Sequence, residues 1–358
     1  MPKFKLKLLP ASDGDCMLLS WGDDGGPLSH MVIDGGRKGA YQHLNSELFR
    51  IVNAGEALAL YVLTHVDADH IEGALAYLDD VNRPILPKDV WYNGLYQMRL
   101  ADNRSMRQGD DWSKAISRLK LPLNRHFEGG VASIESALAP IDVEGLKIIM
   151  LSPDSAHLAA MGNLWTKWRE TEERERREGM RAPKARQRPP VPQPLIVENL
   201  IADGETDPEP PNGTSIAFLA EWRGRSVLLG GDAHPNVLVT SLAPLAESNG
   251  GRCRIDLLKA SHHGSAKNTT RQLIELLDCR RIAISTNGKL HGHPDPESIA
   301  RFLHFGVSGP KHIYFNYDTD RTRPWADSNL EAKHNYRVHL PSSASGAIEI
   351  DLMADDLF

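Results

Sequence analysis

The sequence predicts an α/β (α+β) protein in which mixed sheets are covered by helices. Strand-like apolar runs alternate with helix-like segments through most of the 358 residues. Several strand-like runs follow each other as hairpins, which disfavours a purely doubly wound parallel sheet. The hydrophobic content of 41% and the charged content of 25% are ordinary for a globular chain with a sizeable core.

Composition also limits the function classes. The sequence has no apolar run long enough to span a bilayer, and residues 1–15 are too short and too polar for a secretory signal. Three scattered cysteines fit neither a disulfide framework nor a thiolate metal site. We therefore expect a cytoplasmic protein with no membrane contact. Because the net charge is −6, any contact with nucleic acid must be local.

The first part of the chain is predicted to alternate between strands and helices. Residues 4–22 alternate apolar and polar side chains about a Gly/Asp turn, which is typical of two paired strands. The later elements are a strand at 30–36, a helix at 40–55, a strand at 57–63, a helix at 71–78, a strand and loop at 89–106, a helix at 112–120 and a strand at 145–153.

Residues 155–211 differ in composition from the segments around them. The charged run LWTKWRETEERERREGMR is followed by the proline-rich stretches APKARQRPPVPQP and DGETDPEPPNG, which break a helix. We expect one domain over residues 1–358, with 155–211 forming an insertion or lid. The basic stretch MRAPKARQR (180–188) could follow a phosphate backbone or simply be solvated.

The last part of the chain returns to regular elements. A hairpin is predicted at 214–232, with a short turn at Arg223-Gly224. The remaining elements are a strand and loop at 254–265, a helix at 270–278, a strand at 281–286, a helix at 296–306, a strand at 311–316 and a last strand at 346–352.

The loop LTHVDADHIEG after the strand at 57–63 concentrates four polar groups: His65, Asp67, Asp69 and His70. Alternate side chains of such a loop can face different ways, so this pattern can serve two neighbouring ions. Imidazole with carboxylate suits zinc or manganese. The alternative is a capped helix start with a hydrogen-bonded histidine. Burying four such groups without a partner is costly, which favours the metal site.

Several motifs in order resemble the metallo-β-lactamase fold, in the branch related to the hydrolase domain of DNA-internalisation competence proteins. The resemblance covers nearly the whole chain outside 155–211. It rests on SDGDCMLL, MVIDGG, THVDADHIEG, NGTSIAFL, RSVLLGGD, ASHHGS and HGHPDPESI. It implies a four-layer αββα sandwich and a centre of one or two divalent ions, Zn or Mn.

The resemblance also implies the remaining metal ligands. Asp232 in GGD would bridge both ions, and His262 would complete the second ion's shell. His263 would contact a substrate oxygen or supply a proton, although the two histidines could exchange these roles. The family's further histidine before Gly-Asp is absent here, and Asn212 stands nearest as a metal or substrate ligand or an ordinary Asn-Gly turn.

Four further residues are candidates around this centre. His293 is expected at the site mouth, where it could assist the leaving oxygen or simply be a loop histidine. Ser265 and Lys259 are candidate phosphate contacts. Asp34 in VIDGG is expected to brace a histidine of the metal loop.

These residues predict a metal-dependent hydrolase, with a phosphodiesterase or nuclease acting on DNA as the first hypothesis. In it, metal-activated water attacks the phosphate, and Asp69 or Asp232 orients that water. The alternatives are a hydrolase of small phosphodiesters or lactones, and an inactive module that binds metal or a partner. A protein partner is compatible with the sequence, which carries no recognisable DNA-binding module. The oligomeric state and the pathway are not encoded in any motif.

Overall fold

The computed structural model describes residues 1–100, 111–137, 140–177, 189–342 and 346–354. The first sheet has six strands in the order β16-β1-β2-β3-β4-β5. It mixes antiparallel pairs (β1 with β16 and β2, and β2 with β3) with the parallel pairs β3–β4 and β4–β5. Its strands are β1 (Lys3–Leu8), β2 (Met17–Gly22), β3 (Ser29–Ile33), β4 (Ala57–Val62), β5 (Asp89–Trp91) and β16 (Ile348–Asp351).

The second sheet has eight strands in the order β15-β14-β13-β11-β9-β8-β7-β6, and β10 pairs with β12 in a separate ribbon. The β8–β9 hairpin turns at Arg223-Gly224 as predicted, with φ angles of 50° and 78°. The strands are β6 (Ile141–Val143), β7 (Leu146–Ser152), β8 (Ala217–Trp222), β9 (Arg225–Leu229), β10 (Cys253–Arg254), β11 (Leu257–Lys259), β12 (Leu277–Asp278), β13 (Arg281–Ile284), β14 (Lys311–Phe315) and β15 (Tyr336–His339).

The helices lie between these strands along the chain. The two ends of the predicted insertion, 155–177 and 189–211, are described, whereas the basic residues 178–188 lie outside the described part. The helices are α1 (Tyr41–Asn53), α2 (Ala68–Asp79), α3 (Leu95–Leu100), α4 (Asp111–Leu119), α5 (Ser155–Arg177), α6 (Pro210–Gly213), α7 (Pro235–Glu247), α8 (Arg271–Glu275), α9 (Pro296–Phe305) and α10 (Ser328–His334).

Three hydrophobic clusters give the order of the layers. The central cluster joins inner side chains of both sheets, such as Leu6 and Trp91 with Phe218 and Leu257. The second packs α7, α8 and α9 on the eight-stranded sheet, and the third packs α1, α2, α4 and the start of α5 on the six-stranded sheet. This is helix, sheet, sheet, helix. The predicted four-layer αββα sandwich with mixed sheets is therefore confirmed.

Helix α2 begins at Ala68, inside the predicted metal loop at 63–73, and its backbone packs directly against the backbone of two other loops. A Cβ added at Gly14 would lie 1.7 Å from the carbonyl oxygen of Asp69 at the start of α2, and one at Gly35 would lie 2.0 Å from the nitrogen of Ala74. Only glycine allows such close approach. The glycines of SDGD and VIDGG thus let the loops after β1 and β3 hold the first turns of α2 at the sheet edge.

The first part of the predicted insertion is packed into the fold. Leu158, Met161 and Trp165 of α5 belong to the cluster that covers the six-stranded sheet. Beyond the undescribed part, Arg321 donates to the Pro189 carbonyl and Arg301 to the Ala202 carbonyl. Both described ends of 155–211 therefore contact the body of the domain, and a role of its centre as a lid stays a prediction.

Candidate metal centre

Four loops bring the candidate ligands together at one edge of the sandwich. β3 and β4 run parallel in one sheet, and β9 and β11 run parallel in the other. Each of these strands is followed at once by a loop that carries polar residues. Carboxyl ends of parallel strands meet at the same sheet edge, so the loops of both sheets converge there.

One carboxylate oxygen lies at the centre of four imidazoles. Asp232 Oδ2 is 3.7 Å from Nε2 of His65, 3.5 Å from Nε2 of His70, and 3.8 Å from Nε2 of both His262 and His263. Asp232, His65, His70 and His263 are at most 2% exposed. Four ring nitrogens thus point at one buried oxygen.

Carboxylates of the metal loop complete two sides of this arrangement. Asp67 Oδ2 lies 3.6 Å from Nε2 of His65, and Asp69 Oδ2 lies 3.3 Å from Nε2 of His263. The ligand atoms of Asp69, His70 and His263 all lie within 4.8 Å of one another. His65, His70 and Asp232 form a second such group. Asp67 thus lies beside His65, whereas Asp69 and His70 lie in the first turn of α2 and His70 is near both His65 and His263.

Hydrogen bonds at the opposite ring nitrogens set the tautomers of His65 and His70. His70 Nδ1 donates to Asp34 Oδ2 at 2.8 Å. Thr64 Oγ1 donates to the same carboxylate, which leaves Thr64 Oγ1 to accept from His65 Nδ1 at 3.0 Å, and Ser215 Oγ lies 3.1 Å from the same nitrogen as a second acceptor. In the neutral rings both Nε2 lone pairs therefore face Asp232, and Asp34 has the bracing position expected from the sequence.

The other two histidines are fixed in the same way. His263 Nδ1 lies 3.0 Å from the Ser285 carbonyl, which can only accept, so Nδ1 carries the proton. His262 Nδ1 donates to Asp207 Oδ2 at 3.0 Å. Their Nε2 atoms are therefore also lone-pair donors when the rings are neutral.

The residues present fit a divalent cation. Nε2 of His65, His70 and His263, together with Asp232 Oδ1, is buried without a partner of hydrogen-bond geometry among the described residues. Buried polar atoms are nearly always paired, so such a group needs an explanation. Imidazole nitrogens and carboxylate oxygens are zinc and manganese ligands. One or two ions among these residues would give these atoms a partner.

Charge at the cluster also favours a cation. Burial alone would lower the pKa of His263, but the negative charges of Asp232 and Asp15 raise it to about 10. The pKa of His70 is raised well above its usual value, despite burial, by Asp232, Asp34 and Asp69. The carboxylates therefore favour protonated, positively charged rings when no cation is bound. A bound cation would supply that positive charge in place of the ring protons.

The backbone of the loop after β11 is held in an unusual conformation. His262 and His263 have φ angles of 48° and 54°, in the left-handed region that costs side-chain-bearing residues energy. Asp34 is also left-handed, with φ of 59°. Strain of this kind clusters at functional sites when the surrounding structure enforces it. Here it lets two consecutive histidines direct Nε2 at the same oxygen.

Of the two assignments left open for His262 and His263, the geometry favours the one with His263 as the second ion's ligand. His263 is the one grouped with Asp69 and His70, as the second ion's ligand would be. The His262 side chain is 23% exposed and approaches Asp232 from the open side. His293 lies against it, with ring centroids 5.2 Å apart, and is 2% exposed rather than open at the mouth.

The two candidate phosphate contacts occupy other positions. Lys259 is fully buried and donates to Asp15 Oδ2 at 2.7 Å and to the Ala260 carbonyl at 3.1 Å. Lys259 is therefore not accessible to a substrate, and its positive charge stabilises the Asp15 carboxylate. Ser265 is 2% exposed, and its hydroxyl accepts from the Lys267 amide. Burial thus argues against both phosphate contacts.

Asn212 and two aspartates surround the centre. Asn212 Nδ2 donates to Asp207 Oδ2 at 2.8 Å, while its Oδ1 is buried without a hydrogen-bond partner among described residues. Sequence reasoning missed Asp207, which lay in the predicted insertion with no motif around it. It also missed Asp15, which is 3.5 Å from His263 Nδ1 and could have been taken from the motif SDGD.

In the part of the chain that the structure describes, no helix combines the length and apolarity needed to cross a bilayer.

Comparisons with known proteins found likeness only among solved structures. No protein-family model and no curated protein matches the chain. A mutant CmlA β-hydroxylase is 10% identical with a TM-score of 0.40, and the match covers 98% of this chain and 54% of CmlA. Zinc-bound PqqB from Methylobacterium extorquens is 12% identical with a TM-score of 0.37, covering 97% and 100%. The MIM-2 metallo-β-lactamase is 12% identical with a TM-score of 0.32, covering 83% and 85%.

The chain thus spans about half the length of CmlA. Identities and TM-scores this low support no statement about family or activity. The fold rests on the chain's own sheets and core, and the metal centre rests on the side chains that converge on Asp232.

Proposed function

We propose that this chain is a metal-dependent hydrolase and that it cleaves phosphodiesters. The observation that carries this proposal is the convergence of four imidazole Nε2 atoms on the buried oxygen Asp232 Oδ2, at 3.5 to 3.8 Å. Histidines arranged only for packing would have both ring nitrogens paired. Here the paired nitrogen is the one that faces away from Asp232.

The cofactor would be one or two divalent ions, zinc or manganese. His65, His70, His263, Asp69 and Asp232 would hold them, and a bound ion lowers the pKa of water and offsets negative charge on a phosphate. Imidazole nitrogens suit zinc and carboxylate oxygens suit manganese, and this centre offers both kinds of ligand.

The chain's own residues would then position the reacting groups. Asp69 is 8% exposed at the start of α2, where its carboxylate can accept a hydrogen bond from the attacking water. His293 packs against His262 and lies outside the four rings that face Asp232. We assign His293 the proton that the leaving oxygen needs, because His263 is taken up by the cluster.

DNA is the substrate that we propose for this activity. The support comes from the sequence motifs that resemble the hydrolase domain of competence proteins, and from the basic stretch 180–188, which lies outside the described residues. A nucleic-acid backbone would need such local positive charge, since the net charge of the chain is −6.

The test compares two aspartates of the same helix. Asp69→Asn removes the carboxylate at the centre, whereas Asp79→Asn alters an exposed residue at the end of α2 whose side chain is 65% exposed. Both variants and the wild type are assayed with Mn²⁺ or Zn²⁺ on single-stranded DNA, double-stranded DNA and bis-p-nitrophenyl phosphate. We expect cleavage of DNA by the wild type and by Asp79→Asn, and its loss in Asp69→Asn.

Other outcomes would replace the proposal. Cleavage of only the small ester, or of a lactone in a parallel assay, would identify a small-molecule hydrolase. Metal binding without any cleavage would identify a binding module. Equal DNA cleavage by Asp69→Asn and the wild type would contradict the assignment of the chemistry to this centre.

A further inference from the structure

The two sides of the metal centre differ in the number of imidazoles, with two on one side and one on the other. The ligand atoms of Asp69, His70 and His263 form a compact group on one side. On the other side His65 has Asp67 beside it, at 3.6 Å, and shares Asp232. The sequence has Asn212 where a further histidine was expected, and Asn212 Nδ2 is directed to Asp207.

His262 lies where it can supply that imidazole. Its Nε2 is as far from Asp232 Oδ2, 3.8 Å, as is Nε2 of His263. Its ring lies beside Asn212, whose Nδ2 is 3.4 Å from His262 Nδ1. Its ring centroid is 5.8 Å from that of His263, with the ring planes at 82°, so the two consecutive histidines occupy different positions beside the carboxylate.

A single carboxylate holds His262 in this orientation. Asp207 Oδ2 accepts from His262 Nδ1 at 3.0 Å, from Asn212 Nδ2 at 2.8 Å and from Asn268 Nδ2 at 3.0 Å. Its other oxygen accepts from the Glu209 amide at 3.0 Å. Asp207 is 6% exposed, and all four donors come from residues around the centre. Its position is therefore fixed before any ligand binds.

Asp207 comes from the return segment of the predicted insertion, residues 199–209. That segment is held to the body of the domain by Arg301, which donates to the Ala202 carbonyl, and by Asp203, which accepts from the Arg271 amide at 3.1 Å. His234 Nε2 lies 2.9 Å from the Glu209 carbonyl. The end of the predicted insertion therefore lies next to the metal centre.

We propose that Asp207 is a positioning residue that makes His262 a metal ligand on the His65 side of Asp232, in place of the imidazole absent at Asn212. This inference rests on the proposed function, because it concerns the same centre. The hydrogen bond to Asp207 keeps the proton of neutral His262 on Nδ1 and leaves the Nε2 lone pair for the ion. Asp67, His65, His262 and Asp232 then form one site, and Asp69, His70, His263 and Asp232 form the other.

The experiment counts and titrates Zn²⁺ in the full chain. Bound zinc is measured by elemental analysis after dialysis, and affinity is measured by competition with a chromophoric chelator. The variants are Asp207→Asn and His262→Ala. The matched control is Glu205→Gln, which makes the same change in the same segment at a side chain that is 91% exposed. Circular dichroism melts of the metal-free proteins identify any variant that does not fold.

We expect two zinc ions in the wild type and in Glu205→Gln. Asp207→Asn should weaken one of the two by about 10- to 100-fold, the usual cost of losing the partner of a ligating histidine. His262→Ala should lose the same ion and regain it when free imidazole is added. His262→Ala leaves the return segment intact, so its zinc content tests the inference even if Asp207→Asn does not fold.

Two results would overturn the inference while leaving the proposed function standing. One is two ions of unchanged affinity in a folded His262→Ala. The other is a single wild-type ion that both variants retain. Loss of one ion in the variants, combined with no cleavage of any phosphodiester by the wild type, would support the inference and refute the proposed function. A wild type that binds no zinc, and no Mn²⁺ in the same titration, would overturn both.

Discussion

Two buried histidines of this protein, His30 and His70, show how a packed residue differs from a ligand. His30 on β3 is fully buried, with Nδ1 2.8 Å from Ser20 Oγ and Nε2 2.9 Å from Glu56 Oε2. His70 on α2 is equally buried, yet only Nδ1 is paired, and Nε2 has no hydrogen-bond partner among described residues. Burial is therefore the same, and the number of hydrogen-bonded ring nitrogens separates the two residues.

Charge separates the two histidines as well. Burial lowers the pKa of His30, and the carboxylates of Glu56 and Glu47 only partly oppose that shift. The pKa of His70 is raised despite burial, because three aspartates surround it. His30 is thus a neutral group that completes a hydrogen-bond chain. His70 lies in an excess of negative charge that a cation can offset.

The largest expected effect is on metal affinity, and it separates alanine substitutions of the two histidines. His70→Ala should lower metal affinity and hydrolysis by more than about 100-fold, since removing a ligand exceeds the 10- to 100-fold loss on removing its partner. His30→Ala should keep the metal and the activity. It should lose about 1–3 kcal/mol of unfolding free energy, because Ser20 and Glu56 lose a buried partner. Zinc titration and urea unfolding of both variants make the comparison, and equal zinc affinity in the two would contradict it.

The next effect concerns the carboxylates behind the two rings. Asp34→Asn should weaken metal binding by about 10- to 100-fold, because the His70 ring loses the charge that fixes its Nδ1 proton. Glu56→Gln should leave metal affinity within about twofold of the wild type, since both ring nitrogens of His30 bond to Ser20 and Glu56 and not to a residue of the centre. Isothermal titration with Mn²⁺ measures both. A weakened Glu56→Gln would show that the two histidines are not independent.

Metal removal gives a smaller effect, on stability. A ligand at about 100 times its Kd stabilises the folded state by about 2.7 kcal/mol. Thermal melts with and without a chelator should therefore show a higher Tm for the metal-loaded wild type and for His30→Ala. His70→Ala should show a reduced shift. A chelator-insensitive Tm in the wild type would mean that the cluster is stable without any ion.

The smallest effect is the pH dependence from His30. Its pKa in the folded state is lowered from 6.5, so the unfolded chain binds the proton first. His30 therefore lowers stability as the pH falls below about 6.5, until the folded-state pKa is reached. His30→Gln should make the unfolding free energy less dependent on pH in this range. An unchanged slope in chelator-treated protein would show that His30 does not carry this dependence.

The sequence predicted the fold and most of the centre because both depend on local pattern. Apolar runs, glycine turns and the THVDADH loop are contiguous and predicted mixed sheets covered by helices. The αββα layers were implied by the resemblance, and the structure has them. Helix α7 was missed because Pro244 lies inside it, and prolines normally break helices. The short α10, which Asp327 caps, was missed because seven residues give too little periodicity to recognise.

The parts of the site that escaped prediction depend on long-range packing. Asp207 meets His262 across 55 residues, and Lys259 meets Asp15 across 244. No spacing in the sequence encodes either contact. For the same reason the sequence could not decide between His262 and His263. Their positions follow from two left-handed backbone residues and from partners on separate loops.

The most direct test of the central claim is anomalous diffraction from crystals of the wild-type protein soaked in Zn²⁺. The arrangement of the side chains predicts anomalous peaks beside Asp232, one toward His70 and His263 and the other toward His65 and His262. Soaked crystals of His70→Ala should lose the first of these peaks. Diffraction from zinc-soaked wild-type crystals with no anomalous peak within bonding distance of Asp232 would contradict the claim that this cluster is a metal centre.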